Sequence, residues 1–404
     1  MRSAPSSGAG LSLILPYVAL YLRNVLDVGY GEIGVLVALL GVAPLVCLPF
    51  GGAIADRLGR RNLLLASLVA EAAAVLGTGA AMHARLLAGV LLGGGAVSLS
   101  GSLGSPAFSA YVADLATGSE RTQGYTWFRI GWNVGFTVGV FSGGTLIGLL
   151  GFSEVGLLGG SVLVGSTALL AFTLEPSPYD RDRARGIPRP RTGTSGDGPR
   201  ASTWRVLASD RPFLGFCAVI ALAYLSVNQW STTFPLYANT VFHLTYADVG
   251  LGLALNGVLV VAAQAPTTRA ALGHRHTSLV LLGVLLYVAG FLFFGTIALV
   301  PGLLVAGFLV SVVVLTMGEN VLSIPTTTLP SNLAPGGEVG AYNGAFFAIS
   351  GVGQVLATTV GGFVLALGVS PPLTWAVLML PAVPALAVSS RWVARRLPPA
   401  ANRA

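Results

Sequence analysis

The 404-residue chain is 54% hydrophobic and only 9% charged, and its mean hydropathy is +0.78. Soluble domains carry about 25% charged residues, so this composition excludes a soluble protein and predicts an integral membrane protein embedded in the lipid bilayer. The net charge of +7 also fits a nucleic-acid-binding protein. Arginine in cytoplasmic loops gives a membrane protein the same charge, however, and we expect no nucleic acid as a partner.

Apolar runs predict twelve transmembrane helices. Each crossing needs about 20 mostly apolar residues in a helix, because backbone groups in hydrocarbon must find their hydrogen bonds inside the segment. In chain order, the predicted spans are residues 8–26, 31–55, 62–82, 86–113, 122–150, 154–174, 212–238, 247–268, 277–299, 302–329, 340–367 and 372–394. The first span follows no small-residue cleavage site, so we expect a membrane helix there and not a removed signal peptide.

One long polar stretch divides these spans six and six. Residues 175–211 are rich in Pro, Gly and Arg, a composition that cannot bury a core. We therefore predict an all-α membrane fold of two six-helix bundles. Residues 1–174 form the N-terminal bundle, residues 175–211 a cytoplasmic linker, and residues 212–404 the C-terminal bundle.

The two halves resemble each other in sequence. The segment "DLATGSE" at 114–120 matches "NLAPGGE" at 332–338, and "RLGRR" at 57–61 matches "ALGHR" at 271–275. The bundles are therefore predicted to be pseudo-repeats. Many secondary transporters are built from repeated halves, with the substrate path between them near the bilayer midplane.

Arginine placement predicts the orientation in the membrane. If both termini are cytoplasmic, nearly all arginines outside the spans lie in the cytoplasm, and only Arg23 and Arg85 lie outside. This asymmetry follows the positive-inside rule. We expect a monomeric, multi-pass protein of the inner (cytoplasmic) membrane with both termini cytoplasmic.

The loop between the second and third spans gathers charge. Its sequence, "GGAIADRLGRR" at 51–61, has the form G-x-x-x-D-R-x-G-R-R. The first glycine of the pattern permits close helix approach and the second a tight turn, while the arginines can meet helix C-terminal carbonyls and an acidic partner. Asp114, at the end of the fourth span, is the expected partner. The residues of the pattern are Gly52, Asp56, Arg57, Gly59, Arg60 and Arg61.

This loop resembles the signature loop of the major facilitator superfamily. The resemblance implies the twelve-helix fold of that family. It also implies a latch, in which the loop and Asp114 hold the cytoplasmic helix ends together in the outward-facing state and release them when the inside opens. The alternative is that the arginines only fix the topology.

The fifth span carries glycines four residues apart on one helix face. These are Gly135, Gly139 and Gly143, followed by Gly144. The span is similar to the motif G-x-x-x-G-P-x-x-G-G of proton-coupled drug antiporters. Two departures are Val140, where that motif has proline, and Gly89, where many of those antiporters have a buried arginine. The resemblance implies proton-driven export of small amphipathic compounds such as antibiotics.

Two charged residues inside spans are candidates for proton coupling. Glu319 lies beside Asn320 in the tenth span, and Arg129 lies in the fifth, where it replaces the missing arginine of the fourth span. An ionisable side chain at membrane depth is costly and is a functional candidate by default. The alternative is a structural bond from Glu319 to Arg129 or to the backbone. Glu71, in the peripheral third span, is expected to bond a neighbouring helix.

By the same resemblance, the first, fourth, seventh and tenth spans line a substrate cavity. Polar side chains with aromatic neighbours suit an amphipathic substrate, although any of them can instead bond helix to helix. The residues predicted to line the cavity are Tyr17, Tyr21, Ser98, Ser100, Ser102, Asn228, Gln229, Trp230 and Asn320.

The sequence gives little support for an enzyme or for a metal-binding or cofactor-binding protein. No nucleophile–base pair, phosphate-cradling loop or metal-ligand cluster is apparent, so we expect neither an enzyme nor a cofactor. His274 and His276 are expected in an exposed loop without a third metal ligand. Two alternatives to the exporter are a proton symporter or uniporter for a nutrient or metabolite, and a membrane sensor that does not transport.

Overall fold

The computed structural model describes residues 4–115, 118–185, 206–335, 338–399 and 401–403. Within these ranges the regular structure is helical, and the single β-type contact is an isolated antiparallel bridge between Arg275 and Arg403.

The helices are labelled in chain order. Before residue 200 they are α1 (Ala4–Ser12), α2 (Val18–Asn24), α3 (Tyr30–Leu58), α4 (Arg60–His83), α5 (Leu87–Leu115), α6 (Gly118–Leu150), α7 (Phe152–Thr173) and α8 (Pro178–Ala184). After it they are α9 (Arg211–Val227), α10 (Thr233–Thr240), α11 (Tyr246–Ala271), α12 (His276–Thr296), α13 (Leu304–Leu333), α14 (Val339–Ala366), α15 (Pro371–Met379), α16 (Ala382–Val388) and α17 (Ala394–Arg396).

Ten helical segments in the described part of the chain are long and apolar enough to cross a membrane. They coincide with the third to twelfth predicted spans. The first predicted span is broken into α1 and α2 by a 3-10 turn at Leu15–Tyr17, where Pro16 is the second residue. The second predicted span corresponds to α3, whose stretch Tyr30–Val42 is apolar but shorter than the ten spanning segments. The count of twelve stays a prediction.

The chain forms two compact units. Unit 1 contains Met1–Asp27, Leu39–Gly198 and Thr245–Ala254, and unit 2 contains Val28–Ala38, Pro199–Leu244 and Leu255–Ala404. The helices α3 and α11 therefore each contribute their first turns to one unit and the rest to the other. The bundle boundaries predicted from the sequence remain predictions.

In unit 1, glycine lets α1 lie directly against α6. A Cβ on Gly8 would lie 2.7 Å from the Trp132 carbonyl oxygen, and one on Gly139 would collide with the Ala9 carbonyl. One turn further along α6, a Cβ on Gly143 would collide with the Leu13 carbonyl. The glycine face predicted for this span is thus a surface of close backbone approach.

Two glycine pairs lie where α6 crosses α11 and where α14 crosses α3 at short distance. In unit 1, a Cβ on Gly144 would lie 3.1 Å from the Cα of Gly250. In unit 2, a Cβ on Gly362 would lie 2.9 Å from the Cα of Gly34, whose carbonyl accepts a 3.3 Å hydrogen bond from Thr358. Side chains at these positions would push the helices apart.

The core of unit 2 is aromatic. Phe234 on α10 stacks on Phe308 at 5.1 Å between centroids and lies 4.4 Å from Phe294. Trp375, which is fully buried, stacks on Phe291 at 4.9 Å. Such pairs add stability beyond area burial, and they tie α10, α12, α13 and α15 together.

The glycine contacts generate a first prediction. Replacing Gly139 with Ala inserts a methyl group against the Ala9 backbone, which cannot yield as a flexible side chain can, so we expect a loss of about 1–3 kcal/mol in stability. Gly148, on the same helix, has open space at its Cβ, and Gly148→Ala is the matched control. Thermal unfolding of the purified variants measures both. Equal melting temperatures for the two would contradict close packing at Gly139.

Candidate functional site

The turn between α3 and α4 depends on a glycine. Gly59 has a φ of 92°, in the left-handed region that favours glycine, and stands at the N-cap position of α4 without a side chain to cap the helix. In the turn between α11 and α12, Gly273 has a φ of 79°. Gly59 thus provides the tight turn expected of it. The side chain of Asp56 and the packing of Gly52 lie outside the described residues.

Arg60 lies at the centre of a cluster at this turn. Its guanidinium forms an ion pair with Asp114 and donates a 3.1 Å hydrogen bond to the Ala110 carbonyl near the end of α5. The ring of Tyr179 lies 4.4 Å below the guanidinium carbon, a cation–π contact. The Arg60 and Asp114 side chains are only 14% and 11% exposed, so the pair is shielded from solvent.

Asp180 supplies the cap that Gly59 cannot. Its carboxylate accepts hydrogen bonds from the backbone N–H groups of Arg60 at 2.8 Å and Arg61 at 3.2 Å. Ser177 holds this carboxylate with its backbone N–H at 3.2 Å and its hydroxyl at 3.0 Å, and the hydroxyl also lies 3.0 Å from Asp114. We call Arg60, Asp114, Ser177 and Asp180 the arginine cluster.

The first residues of the predicted linker are therefore structured, in contrast to what their composition predicted. The sequence "SPYD" at 177–180 is a capping-box pattern with proline at the first helical position. The Asp180 backbone N–H donates back to the Ser177 hydroxyl at 3.2 Å and opens the short helix α8. This local signal identifies α8, whereas the composition of the whole stretch does not.

Arg61 contacts the end of α7, as expected for an arginine near helix C-terminal carbonyls. Its Nε donates to the Leu174 carbonyl at 2.7 Å and its Nη2 to the Ala171 carbonyl at 3.0 Å. The Tyr111 hydroxyl donates to the adjacent Glu175 carbonyl at 2.6 Å. The side chain of Arg57 is exposed. Together these bonds join α4, α5 and α7 at one end of unit 1.

A second polar cluster lies within the membrane-spanning helices of unit 2. The amide of Asn256 on α11 donates to the Glu319 carboxylate at 2.9 Å and to the Thr316 hydroxyl at 3.0 Å. Thr316, fully buried, donates to the Val312 carbonyl of its own helix at 2.7 Å. Glu319 itself is partly exposed. We call Asn256, Thr316 and Glu319 the glutamate cluster.

Asn320 and two tyrosines lie near the glutamate cluster. Asn320 is 1% exposed, and its amide donates a long 3.5 Å bond to the Leu259 carbonyl. Its side-chain oxygen has no hydrogen-bond partner among the described residues. Tyr224 on α9 and Tyr287 on α12 lie within electrostatic range of Glu319. Four helices therefore contribute polar groups around one carboxyl.

Asn256 was not singled out from the sequence. It is a lone amide in the apolar run "LALNGVLV" of the eighth span, and a buried polar residue at membrane depth is a functional candidate. The lone amide could have identified this residue, but the family resemblance assigns the cavity to the first, fourth, seventh and tenth spans and so directs attention away from the eighth.

Several residues predicted to line the cavity donate hydrogen bonds to nearby backbone carbonyls. Tyr17 donates to the Val140 carbonyl at 2.5 Å, and Tyr21 to the Met82 carbonyl at 2.9 Å. Gln229 is fully buried and donates to the Ala357 carbonyl at 2.9 Å. Ser102 donates to the Ser98 carbonyl one turn earlier, at 2.6 Å. The bonds of Tyr17, Tyr21 and Gln229 reach a different helix, as in the helix-bonding alternative, whereas the bond of Ser102 stays within its own helix.

Of the remaining cavity candidates, Ser98, Asn228 and Trp230 are partly exposed and Ser100 is 7% exposed. Asn228 donates to the Gln354 carbonyl at 3.3 Å, and Trp230 stacks on Phe234 at 5.4 Å between centroids. A role for any of these residues in a cavity stays a prediction.

The structure also places three charged or titratable residues that the sequence analysis singled out. Arg129 on α6 is exposed. Glu71 is 9% exposed, and its Oε1 is 3.9 Å from where a Cβ on Gly101 would lie, but it makes no hydrogen bond to any residue the structure describes. The expectation that it bonds a neighbouring helix stays a prediction. His276 is 1% exposed, not in an exposed loop, because residues near Asn402 cover it.

No group of three or more metal-ligating side chains occurs in the described ranges. The site is thus two polar clusters, one in each unit, set in an all-helical membrane protein.

The sequence model of the Major Facilitator Superfamily matches residues 6–358. The chain belongs to this superfamily and is a multi-pass membrane protein. The resemblance stated from the signature loop is confirmed.

Two curated relatives are drug-resistance proteins. The chain is 23% identical over 255 residues to multidrug resistance protein 2 of Bacillus subtilis (strain 168), covering 63% of this chain and 61% of that protein. It is 27% identical over 263 residues to the class C tetracycline resistance protein of Escherichia coli, covering 64% and 63%. The matched region thus spans about three fifths of each relative.

A solved structure supports the fold. The crystal structure of a POT family transporter in complex with a thioalcohol-conjugated peptide superposes with a TM-score of 0.74 at 14% identity, covering 96% of this chain and 95% of that one. At that identity the likeness concerns the fold alone.

The arginine cluster generates a second prediction. Asp180→Ala leaves the first two N–H groups of α4 without their acceptor, so we expect a loss of about 1–2 kcal/mol in stability. Glu175→Ala, in the same segment, removes only a surface ion pair with Arg181, whose partners are 80% and 52% exposed, and should cost less than about 1 kcal/mol. Chemical or thermal unfolding of the purified variants separates the two. If both variants unfold like the wild type, Asp180 does not cap α4.

Proposed function

We propose that this transporter is a proton-coupled exporter of small amphipathic compounds, including antibiotics, that works by alternating access. The observation that carries the proposal is the glutamate cluster. It presents one carboxyl inside a membrane-spanning helix, held by an amide and incompletely buried by the protein. Such a group can take up a proton from water and release it again, which a proton-driven cycle requires.

The hydrogen bond from Asn256 gives Glu319 a defined position. An ionised carboxylate accepts the amide N–H, and this bond is stronger than one between neutral groups. When Glu319 is protonated, the same bond weakens and the carboxyl acquires a proton to donate. The two protonation states therefore differ in how firmly α13 is joined to α11, which is the kind of difference that couples a proton to a conformational change. Arg129 is the second candidate on the proton path.

Alternating access needs two similar halves. The alignment that pairs residues 114–120 with 332–338 also pairs Gly144 with Gly362, and both of these glycines contact a glycine on another helix. Gly59 and Gly273, in the paired turns, both have positive φ. These similarities support twelve helices in two six-helix pseudo-repeats, with the linker after residue 174 in the cytoplasm.

The arginine cluster is proposed to act as the latch. It joins the starts of α4 and α8 to the end of α5 through a shielded ion pair and a helix cap, and both can break without unfolding the helices. By resemblance to the signature loop, it holds the cytoplasmic side closed in the outward-facing state. The full latch comprises Gly52, Asp56, Arg57, Gly59, Arg60, Arg61 and Asp114, to which we add Ser177 and Asp180.

The direction of transport is proposed from the relatives, whose names concern multidrug and tetracycline resistance. Val140 and Gly89 depart from the antiporter pattern, and this favours one alternative, a proton symporter that imports a nutrient or metabolite. A susceptibility screen of a pump-deficient bacterium expressing the chain distinguishes the two, because an exporter raises drug tolerance and an importer does not.

A third prediction concerns Glu319. Glu319→Gln keeps the size and the hydrogen bonding of the side chain but cannot ionise, so proton-driven uphill transport should be abolished. Downhill exchange should continue, because movement of the halves does not itself need the proton. Ethidium transport into reconstituted vesicles, with and without an imposed pH gradient, measures both activities. Glu71→Gln is the control and should keep uphill transport.

A Glu319→Gln protein that still concentrates ethidium would show that the proton is carried elsewhere or not at all. If Glu71→Gln alone loses uphill transport, the coupling site lies in unit 1 instead.

A fourth prediction concerns Asn256. Asn256→Leu removes a hydrogen bond to a charged group, worth about 1.5–3 kcal/mol, and should lower uphill transport by about tenfold or more. Thr316→Val keeps the bond from Asn256 to Glu319 and loses one neutral hydrogen bond, which contributes about 1 kcal/mol. This variant should lower uphill transport by less than about threefold. Rates are compared at equal protein in the membrane. The reverse order would contradict the role of Asn256.

A further inference from the structure

The first turn of α12 is capped from a distant part of the chain. Its N-cap residue, Arg275, makes no side-chain cap. Instead, the His276 N–H donates to the backbone carbonyl of Asn402 at 3.1 Å, and the Thr277 N–H donates to the side-chain oxygen of Asn402 at 3.1 Å. The Asn402 amide in turn donates to the Thr277 hydroxyl at 3.3 Å. One asparagine therefore satisfies two helix N–H groups and one side chain.

This contact is enclosed. Asn402, Thr277 and His276 are 4%, 3% and 1% exposed, respectively. Leu397 is 5% exposed, and Arg403 pairs with Arg275 in the antiparallel bridge. A buried amide is costly unless its hydrogen bonds are made, and both ends of the Asn402 amide are used. We call residues 397–399 and 401–403 the tail segment.

The same arrangement occurs once in each unit. In unit 1, the segment that follows α7 returns to α4 and caps it with Asp180. In unit 2, the segment that follows α17 returns to α12 and caps it with Asn402. The capped helices each follow one of the turns that match in sequence, 57–61 and 271–275. The first cap is charged and the second is neutral.

The position of α12 bears directly on Glu319. A Cβ on Gly318, the residue before Glu319, would lie 3.0 Å from the Gly283 carbonyl of α12 and 3.0 Å from the ring of Tyr287. A Cβ on Gly283 would lie 2.9 Å from Leu322 on α13. With so little space between them, a shift of α12 displaces α13 at Glu319.

We propose that Asn402 is a positioning residue for transport. It fixes the first turn of α12, α12 in turn fixes the register of α13 at Gly318, and Glu319 is thereby held at the distance from Asn256 that proton uptake and release require. The tail segment stays docked on α12 throughout the transport cycle. The proposal rests on the proposed function, since it takes Glu319 as the proton-coupling residue and ethidium as a transported probe.

The test compares three asparagine variants. Asn402→Ala removes the acceptor of the Thr277 N–H, whereas Asn402→Asp keeps it and can accept from the Thr277 hydroxyl. Asn239→Ala, the matched control, removes a 2.7 Å side-chain bond to the Leu244 carbonyl of the same unit. We expect Asn402→Ala to lower the maximal rate of ethidium transport about fivefold, the effect of losing one helix cap, with KM unchanged. Asn402→Asp and Asn239→Ala should keep most of the rate.

A second measurement needs no transport. Ser323→Cys on α13, in a background with Cys47 and Cys217 replaced by Ala, reports the position of this helix through its rate of reaction with a maleimide. Asn402→Ala should change this rate severalfold, and Asn402→Asp should restore it. If the wild type transports no ethidium, the proposed function fails, and the labelling rates alone decide whether Asn402 positions α13.

A disulfide tests whether the tail segment stays docked. Arg275→Cys and Arg403→Cys, opposed in the bridge, should form a disulfide on mild oxidation. The oxidised protein should then transport as fast as the same variant with its thiols reduced. Equal transport and equal labelling in Asn402→Ala and the wild type would overturn the proposal, as would an Asn402→Asp variant as impaired as Asn402→Ala. Loss of transport on oxidation would show that the tail segment must leave.

Discussion

The backbone N–H groups at the starts of α4 and α12 need hydrogen-bond acceptors, and this need determines where two distant segments of the chain pack. A helix leaves its first backbone donors without partners, and the glycine turns before α4 and α12 place no side-chain cap there. Asp180 and Asn402 supply the missing acceptors from segments far along the chain. Each connection ties a later segment of the chain to the start of an earlier helix.

Glycine determines how closely the helices approach. Gly139 brings α6 against α1, and Gly283 and Gly318 bring α12 against α13 next to Glu319. Because side chains are absent at these crossings, a small displacement of one backbone is transmitted to the next instead of being absorbed by side-chain rotation. The carboxyl is therefore held by the backbones around it as well as by the amide of Asn256.

The sequence predicted what depends on local pattern. Apolar runs located the third to twelfth spans, Gly59 was recognised as a turn residue, and Asp114 as a partner for arginine. The burial of Gln229 and Tyr17 was not predictable, because it depends on which carbonyl a neighbouring helix presents. His276 looked exposed because nothing local indicates that Asn402 covers it. Asp180 lies in a capping-box pattern, but the polar composition of the whole stretch predicted no structure there. Asn256 is a lone amide in an apolar run, but the family resemblance pointed to other spans.

The aromatic core of unit 2 also has an optical consequence. Trp375 is fully buried among phenylalanines, and its indole N–H has no hydrogen-bond partner among the described residues. An indole in such surroundings is shielded from water, so its fluorescence emission lies at shorter wavelength than that of an exposed tryptophan. The chain has six tryptophans, and Trp127 is 63% exposed. Trp375 is thus an intrinsic probe of whether the core around α10, α12 and α15 is closed to solvent.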